Sequence, residues 1–500
     1  VAARRGDVTV ADRSLSRAAL ATVPAEARPA LGGTLPGPGI VHLGVGAFHR
    51  AHQAVYTDLA MAAAGDPGWG IVEVAPRSTD VVDALRRQDG LYTVLERSGD
   101  RVAARVVGAV SEAWHAPSSF GEVAGRFADP RVRVVTLTIT EKGYLGDPVT
   151  GALLDDDTVR ADVAAVAAGE RPRTGLGLLV AGLRGRLMAD AGPVTVLSCD
   201  NLVGNGHRLG ALVGEFVARL PGPSGTELAA WIAASARFPS AMVDRIVPAT
   251  TPADRADARR LVGAADDAVV AAEPFTQWVI EDDFAGERPA WERAGAELVA
   301  DVAPHETAKL RVLNAAHSMI AYLGALAGHE TIAAAVADPA VRVAVEALHR
   351  DVLATVDAPP GWDLRAYAAS VLARFANPAL GHRCDQVAAD GSQKLPVRVV
   401  PTILATRAAG RPSAAATLVV AAWLRFVRSG RSDDGRPLTV NDPARDTLRA
   451  VGGADAARLL RAAAAVPAEL AADEDWVADV AGYLDDLARH GAAATAAALT

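Results

Sequence analysis

A stretch whose far end is apolar almost all round, "ETAKLRVLNAAHSMIAYLG" at 306–324, carries Glu306, Lys309, Asn314 and His317. At about 100° per residue, with Lys309 as origin, Glu306, His317 and Asn314 fall near 60°, 80° and 140°. Val312, Ala316, Met319 and Leu323 form a facing apolar stripe at roughly 280–340°. The polar arc is therefore expected to line a cavity. An ammonium kept from water is destabilised, and desolvation disfavours its charged form. A lysine so placed can take a proton near neutral pH, which is what oxidising a secondary alcohol requires. The plainer alternative is a solvated surface lysine paired with Glu306, with His317 in the core.

A second group of residues suits nucleotide binding. "IVHLGVGAFHRAHQAVYTD" puts Gly44, Gly46 and Phe48 at a strand-to-helix turn, with His49 where a third glycine would complete the dinucleotide fingerprint. Glycines permit the tight turn and let a pyrophosphate approach backbone N–H groups. Glu73, in the next strand candidate, is the expected ribose carboxylate, and nearby Arg77 suggests tolerance of a 2′-phosphate. NAD is thus expected, with NADP not excluded; the alternative is that both residues are ordinary surface charges. Thr140, Glu141 and Lys142 of "TITEKGY" follow a hydrophobic strand, and Asn201 follows "PVTVLSCD". Ligands of open α/β sheets bind outside such strand ends. The other reading of Asn201 is a loop asparagine satisfying its own backbone. Asp244 of "MVDRI" is a candidate for sugar hydroxyls, or a structural partner of Arg245.

The elements that must hold these residues divide the chain in two. Five hundred residues exceed the roughly 250–300 at which single cores stop growing. From about 40 to 201, strand candidates at 40–44, 69–75, 132–140 and 193–201 alternate with helical stretches, the pattern of a doubly wound parallel sheet. Residues 91–114 read as a hairpin about Ser98-Gly99-Asp100, appended to the main sheet. Beyond 298 the pattern is alanine-rich and helical, with helices expected at 331–357, 363–376, 413–429 and 476–499 and a turn-rich loop at 432–443. The fold class is α/β: a Rossmann-type domain over 1–297 and a mostly α-helical substrate domain over 298–500.

Composition excludes several classes. A net charge of −9 argues against a nucleic-acid binder. No run of about 18 apolar residues and no N-terminal apolar core appear, so neither a membrane span nor a signal segment is expected, and a cytoplasmic location follows. Two cysteines, Cys199 and Cys384, with no Cys-x-x-Cys spacing, predict reduced surroundings and no metal site.

Taken together, "IVHLGVGAFHRAHQAVYTD", "TITEKGY", "SCDNLVGNGH", "FPSAMVDRIVP", "EPFTQWVIEDDF" and the Lys309, Asn314, His317 spacing resemble the polyol-specific long-chain dehydrogenase/reductase family, which includes mannitol 2-dehydrogenase and fructuronate reductase. The resemblance implies NAD-linked, metal-independent interconversion of a ketose or ketouronate and the matching polyol or aldonate. By motif position Lys309 is similar to the family's acid/base, Asn201 and Asn314 to the pair stabilising the alkoxide, His317 to a substrate-hydroxyl ligand, and Glu306 to a proton gate. "HRCDQVAADGSQKLPVR" at 382–398 resembles the fructuronate-reductase side, with Arg383, Lys394 or Arg398 available to a carboxylate; Cys384-Asp385 and Val397 depart from that pattern. D-Fructuronate/D-mannonate is the favoured pair. Mannitol/fructose, arabinitol/xylulose and phosphorylated mannitol stay open. So does an NAD(H)-sensing binding protein without catalysis, although such a protein has no use for a proton-transfer lysine. The expected partner is a small sugar acid or polyol, with no nucleic acid and no membrane, in a monomer or small homo-oligomer.

Overall fold

Short β-branched runs in the first half of the chain pair side by side. In chain order they are β1 (Pro38–Leu43), β2 (Gly70–Ala75), β3 (Tyr92–Ser98), β4 (Arg101–Val107), β5 (Val110–His115), β6 (Val134–Leu137), β7 (Val194–Ser198) and β8 (Ala236–Arg237). Six of them form one sheet in the order β5-β2-β1-β6-β7-β8, with every pairing parallel. Chain order reverses between β1 and β6, which is the switch point where such sheets open a ligand crevice. The computed structural model describes residues 13–147, 150–453 and 455–499. The N-terminal stretch expected to carry no signal segment falls largely outside them.

Alternation along each strand explains why these runs carry no polar face. Ile40, Ile71 and Val134 enter one hydrophobic core, which also takes Ala54, Tyr56 and Met61 of the helix Gln53–Ala64. Val41, Val72 and Val135 enter a second core with Leu176, Leu179 and Leu183 of the helix Gly175–Met188. Side chains of period two thus bury both faces of the sheet.

The hairpin forms about Ser98-Gly99-Asp100 as expected, but its sheet differs. β3 and β4 pair with each other and join β10 (Val270–Ala272), after β9 (Ala241–Asp244), in a separate three-stranded sheet. β3 has its second edge taken by β10, so the strand that joins the main sheet from this segment is β5, alongside β2. A third sheet has the order β12-β11-β9, with β11 at Gln277–Glu281 and β12 at Glu297–Val299.

Two compact units cover the chain, Val1–Ala303 and Pro304–Thr500. Among the described residues of the second there is no strand. Its central element is a continuous helix running through Ala303–Ala308, a π-helical segment Lys309–Asn314, and Ala315–Ala327. The last part packs against helices Ile332–Ala337, Pro339–Leu353, Cys384–Val387, Gly391–Arg398, Ala414–Ser429 and Glu474–Ala497. Being surrounded on so many sides accounts for its apolar composition. No helix among the described residues is long and apolar enough to cross a membrane. Cys199 and Cys384 are both buried and free.

Candidate functional site

At the end of β1 the chain turns through Gly44 at φ +112°, where an added Cβ would sit 2.2 Å from the Thr138 carbonyl oxygen. Only glycine meets both conditions. Gly46 caps the short helix Ala47–Ala51, and a Cβ there would meet nothing within 4 Å. The turn therefore has open space on its outer side, a cradle into which a ligand backbone can come close. Phe48 is half-buried and stacks on His52 at 5.1 Å.

His49, in the place of a third glycine, points inward. Its ring stacks on His42 with centroids 3.3 Å apart, and its Nε2 lies 2.9 Å from Glu73 Oε1. All three side chains are fully buried. This corrects the ribose role expected of Glu73: its carboxyl sits in the middle of β2, sealed under the glycine turn, and cannot reach a ligand at the strand end. The exposed charged residue just past β2 is Arg77. Chain spacing predicts no metal set, yet the fold brings ligating atoms of His42, His49 and Glu73 within 4.8 Å of one another. His42 meets Thr136 Oγ1, Thr138 Oγ1 and the Gly44 carbonyl, and His49 Nε2 meets Glu73 Oε1, while His49 Nδ1 and Glu73 Oε2 find no hydrogen-bond partner among the described residues.

Burial pushes the Glu73 carboxyl up to about 7 and draws the His49 imidazole down to about 3. The contact is then a neutral acid donating to a neutral imidazole. The unfolded pair, with ordinary values of 4.5 and 6.5, also holds one proton between them. From pH 4.5 to 6.5 the proton counts match, so the pair adds no slope to stability. Below that window the unfolded pair binds a second proton first, and stability falls with acid. Above it the folded pair keeps a proton that the unfolded pair has lost, so stability declines as pH rises through about 7. Glu73→Gln, which mimics the neutral acid, is expected to melt within a few degrees of the parent at pH 6 and to lose the decline above pH 6.5. A loss of more than about 3 kcal/mol at pH 6, the cost of breaking a buried charged pair, would show that the contact is ionic.

Past β6, Thr140 is exposed just before a tight turn, Glu141–Tyr144, and Lys142 is exposed within it. Thr140 has φ 64° and ψ 163°, a region essentially reserved for glycine, and such a residue costs of order 1–3 kcal/mol. Asn201 is exposed just past β7. Asp244 ends β9 and is nearly buried. Its neighbour Arg245 reaches away to Glu96 Oε1 at 2.8 Å and to the Glu273 carbonyl at 2.9 Å.

In the second unit Glu306, Lys309, Asn314 and His317 are all at least nine-tenths buried. The wheel drawn at 100° per residue does not hold through them, because Lys309–Asn314 is π-helical, with the Ala315 N–H reaching back to the Leu310 carbonyl. Such wide turns are frequent at functional sites. The segment is anchored from outside. His349 Nε2 lies 3.1 Å from the Val312 carbonyl, and the Arg311 guanidinium donates to Thr355 Oγ1 at 2.6 Å and Thr402 Oγ1 at 3.1 Å. Asn314 Oδ1 and His317 Nε2 find no hydrogen-bond partner among the described residues.

His317 stacks on Phe375 at 4.6 Å and meets His382 edge-on at 5.0 Å. Burial, then the charges of His382, Arg398, Lys394 and Arg374, hold it well below the usual histidine range. Arg398 donates to Ser318 Oγ at 3.2 Å and Lys394 to the Ala389 carbonyl at 2.6 Å. Arg383 differs from both. It is half exposed, binds Asp385 through two contacts of 3.0 and 3.2 Å, and has Glu330 at 3.9 Å. Its charge is already answered, which corrects its expected place as a carboxylate ligand. Spacing gave no hint of Arg374 or His382, since each reaches His317 from a separate stretch of chain.

A family model described as the mannitol dehydrogenase Rossmann domain matches residues 38–293, and one described as the mannitol dehydrogenase C-terminal domain matches 301–488. The chain is 40% identical over 472 residues to D-mannonate oxidoreductase of Escherichia coli (strain K12), covering 92% of this chain and 95% of that one. It is 37% identical over 463 residues to mannitol 2-dehydrogenase of Aspergillus terreus (strain NIH 2624 / FGSC A1156), covering 91% of each. Mannitol 2-dehydrogenase of Pseudomonas fluorescens, solved as a ternary complex with NAD and D-mannitol, superposes with a TM-score of 0.84 at 35% identity, over 97% of this chain and 99% of that one. With both units matched and relatives aligned nearly end to end, this chain belongs to the mannitol dehydrogenase family.

Proposed function

We propose that this oxidoreductase interconverts a ketouronate and an aldonate, D-fructuronate and D-mannonate, using NAD. The observation that carries the substrate class is the set of cationic groups about His317: Lys394, Arg398 and Arg374, with His382 beside them. Charge-assisted contacts from such groups favour a carboxylate over a neutral hydroxymethyl. NAD fits the first unit at the Gly44–Gly46 turn, where Gly46 leaves open space and the chain order reverses between β1 and β6; when bound it supplies the hydride acceptor for the carbinol carbon.

The chain's own residues handle the proton and the oxygen. Lys309 takes the hydroxyl proton in the oxidative direction and returns it in the reductive one. The side-chain amides of Asn201 and Asn314 donate to the oxygen as negative charge develops. His317, held neutral, orients a neighbouring hydroxyl. Glu306, three residues before Lys309, passes the proton to water. Thr140, Lys142 and Phe48 line the cofactor side, and Asp244 takes a sugar hydroxyl.

A second reading has its own support. Lys394 and Arg398 already donate within their own unit, to Ala389 and Ser318, which suits basic residues serving the fold around a neutral ketose. NADH oxidation with D-fructuronate, D-tagaturonate, D-fructose, D-xylulose and fructose 6-phosphate in parallel separates the two. The uronate reading expects fructuronate to have the highest kcat/KM, and Arg398→Ala to raise the KM for fructuronate by at least tenfold. Clear turnover of fructose with none of fructuronate reverses the assignment. Stoichiometric NADH binding without turnover of any of the five favours a sensing protein.

A further inference from the structure

The sequence "SCDN" places Asp200 immediately before Asn201, and no role has so far been given to it. Its carboxylate accepts from the Ile139 N–H at 3.0 Å, the Thr140 N–H at 2.9 Å and the Tyr144 hydroxyl at 2.8 Å. These donors bracket a strained position at the start of this turn, Thr140, whose φ is 64°. Asp200 is fixed in its turn: Asn205, fully buried, donates from Nδ2 to the Asp200 carbonyl at 2.9 Å and to the Ala241 carbonyl at 2.7 Å. Two residues before Thr140, the Thr138 carbonyl occupies the space a Cβ on Gly44 would need, and Thr138 Oγ1 donates to the Gly44 carbonyl at 3.0 Å. One carboxylate thus ties the end of β7 to the turn after β6, and Thr138 ties the end of β6 to the glycine turn after β1.

We propose that Asp200 is a positioning residue for the cofactor crevice: it holds the 139–144 turn in a backbone conformation that Thr140 would not adopt unaided, and through Thr138 it fixes the glycine turn opposite. Strained residues persist only where their surroundings over-determine them, and beside the Gly143 N–H to Thr140 carbonyl bond the Asp200 side chain supplies the bonds to the amides of Ile139 and Thr140. The inference rests on the reading that NAD binds at these strand ends, but the clamp itself can be tested on the free protein.

The first arm is amide hydrogen exchange without cofactor. Ile139 and Thr140 are expected to be protected in the parent, and to exchange at least tenfold faster in Asp200→Asn while the strands of the sheet keep their protection. Unprotected amides in the parent, or unchanged rates in the variant, overturn the clamp. The second arm is NADH affinity by fluorescence titration in a double-mutant cycle with Thr140→Gly, since glycine adopts this φ without strain. Asp200→Asn is expected to weaken NADH binding by tenfold or more in the parent and by less than threefold beside Thr140→Gly. Equal losses in both backgrounds mean that Asp200 acts otherwise, and overturn the proposal. Should Asp200→Asn not fold, Tyr144→Phe removes one donor and leaves the carboxylate; faster exchange at Thr140 supports the clamp and an unchanged rate overturns it. A parent that binds no NADH while the exchange result holds refutes the cofactor reading and not the clamp.

Discussion

Lys309→Ala is expected to lower kcat by about 10²–10⁴, the usual contribution of a general acid/base, with KM changed only a few-fold. The argument starts from placement. Lys309 is 6% exposed at the first position of the π-helical segment, on a helix that also buries Glu306, Arg311 and Asn314. Placing an ammonium there is costly for folding, and a leucine or methionine would pack more simply. The wide turn is costly as well, and the Arg311 and His349 contacts outside it are what hold it open. Both features support the proposal that the amine takes part in the reaction. Lys309→Met separates chemistry from packing, because it keeps the length and removes the proton site; it is expected to be as inactive as the alanine variant. Partial recovery of Lys309→Ala by added methylamine would identify a lost proton carrier. Activity within tenfold of the parent in either variant would remove Lys309 from the mechanism.

The parallel sheet could be read from the chain because both-faced burial leaves its mark residue by residue. "IVHL" and "GIVEVA" have no polar alternation, and the structure buries every residue of β1 and β2. The helices expected at 363–376, 413–429 and 476–499 were equally open to reading, from alanine-rich periodic runs with clear ends, whereas Val400–Ala408 and Ala456–Ala463 were not expected. The expected 331–357 segment is two helices, because Asp338 caps a new start in front of Pro339. What could not be read depends on non-local pairing or on local departures from ideal geometry. The hairpin 91–114 joins β10, some 160 residues on, and nothing within the hairpin announces that partner. Glu73 has the right type and distance for a ribose ligand, but a period-two strand turned it inward onto His49. Asp200 falls inside the strand candidate 193–201, which the structure ends at Ser198, and nothing in that run announces three donors from the turn after another strand. The π-segment is the sharpest case. Its residues have ordinary helix propensities, and its width is imposed by neighbours from 349 to 402. Local sequence rules fail here where a strained or special geometry serves a site, which is where such failures are expected.

The second large effect is expected at the two asparagines. Asn201→Ala and Asn314→Ala should each reduce kcat by about 10²–10³, the range for removing one donor to a developing oxyanion. Stability should hardly change. Asn201 is exposed, and Asn314 Oδ1 accepts no hydrogen bond among the described residues, so truncation there removes an unsatisfied buried acceptor. A residue whose removal leaves the fold unharmed and the rate a hundredfold lower is held for the transition state. The double variant carries the stronger test, because the two side chains belong to different units. If both amides donate to the same oxygen, losing the second after the first should have a smaller effect than losing it alone, as for groups acting as one device. Losses that multiply in full would assign the two amides to separate events. Asn314→Asp adds a further arm: a carboxylate facing a developing negative charge should be slower than the alanine variant, and an aspartate faster than alanine would mean that the position handles protons instead of stabilising charge.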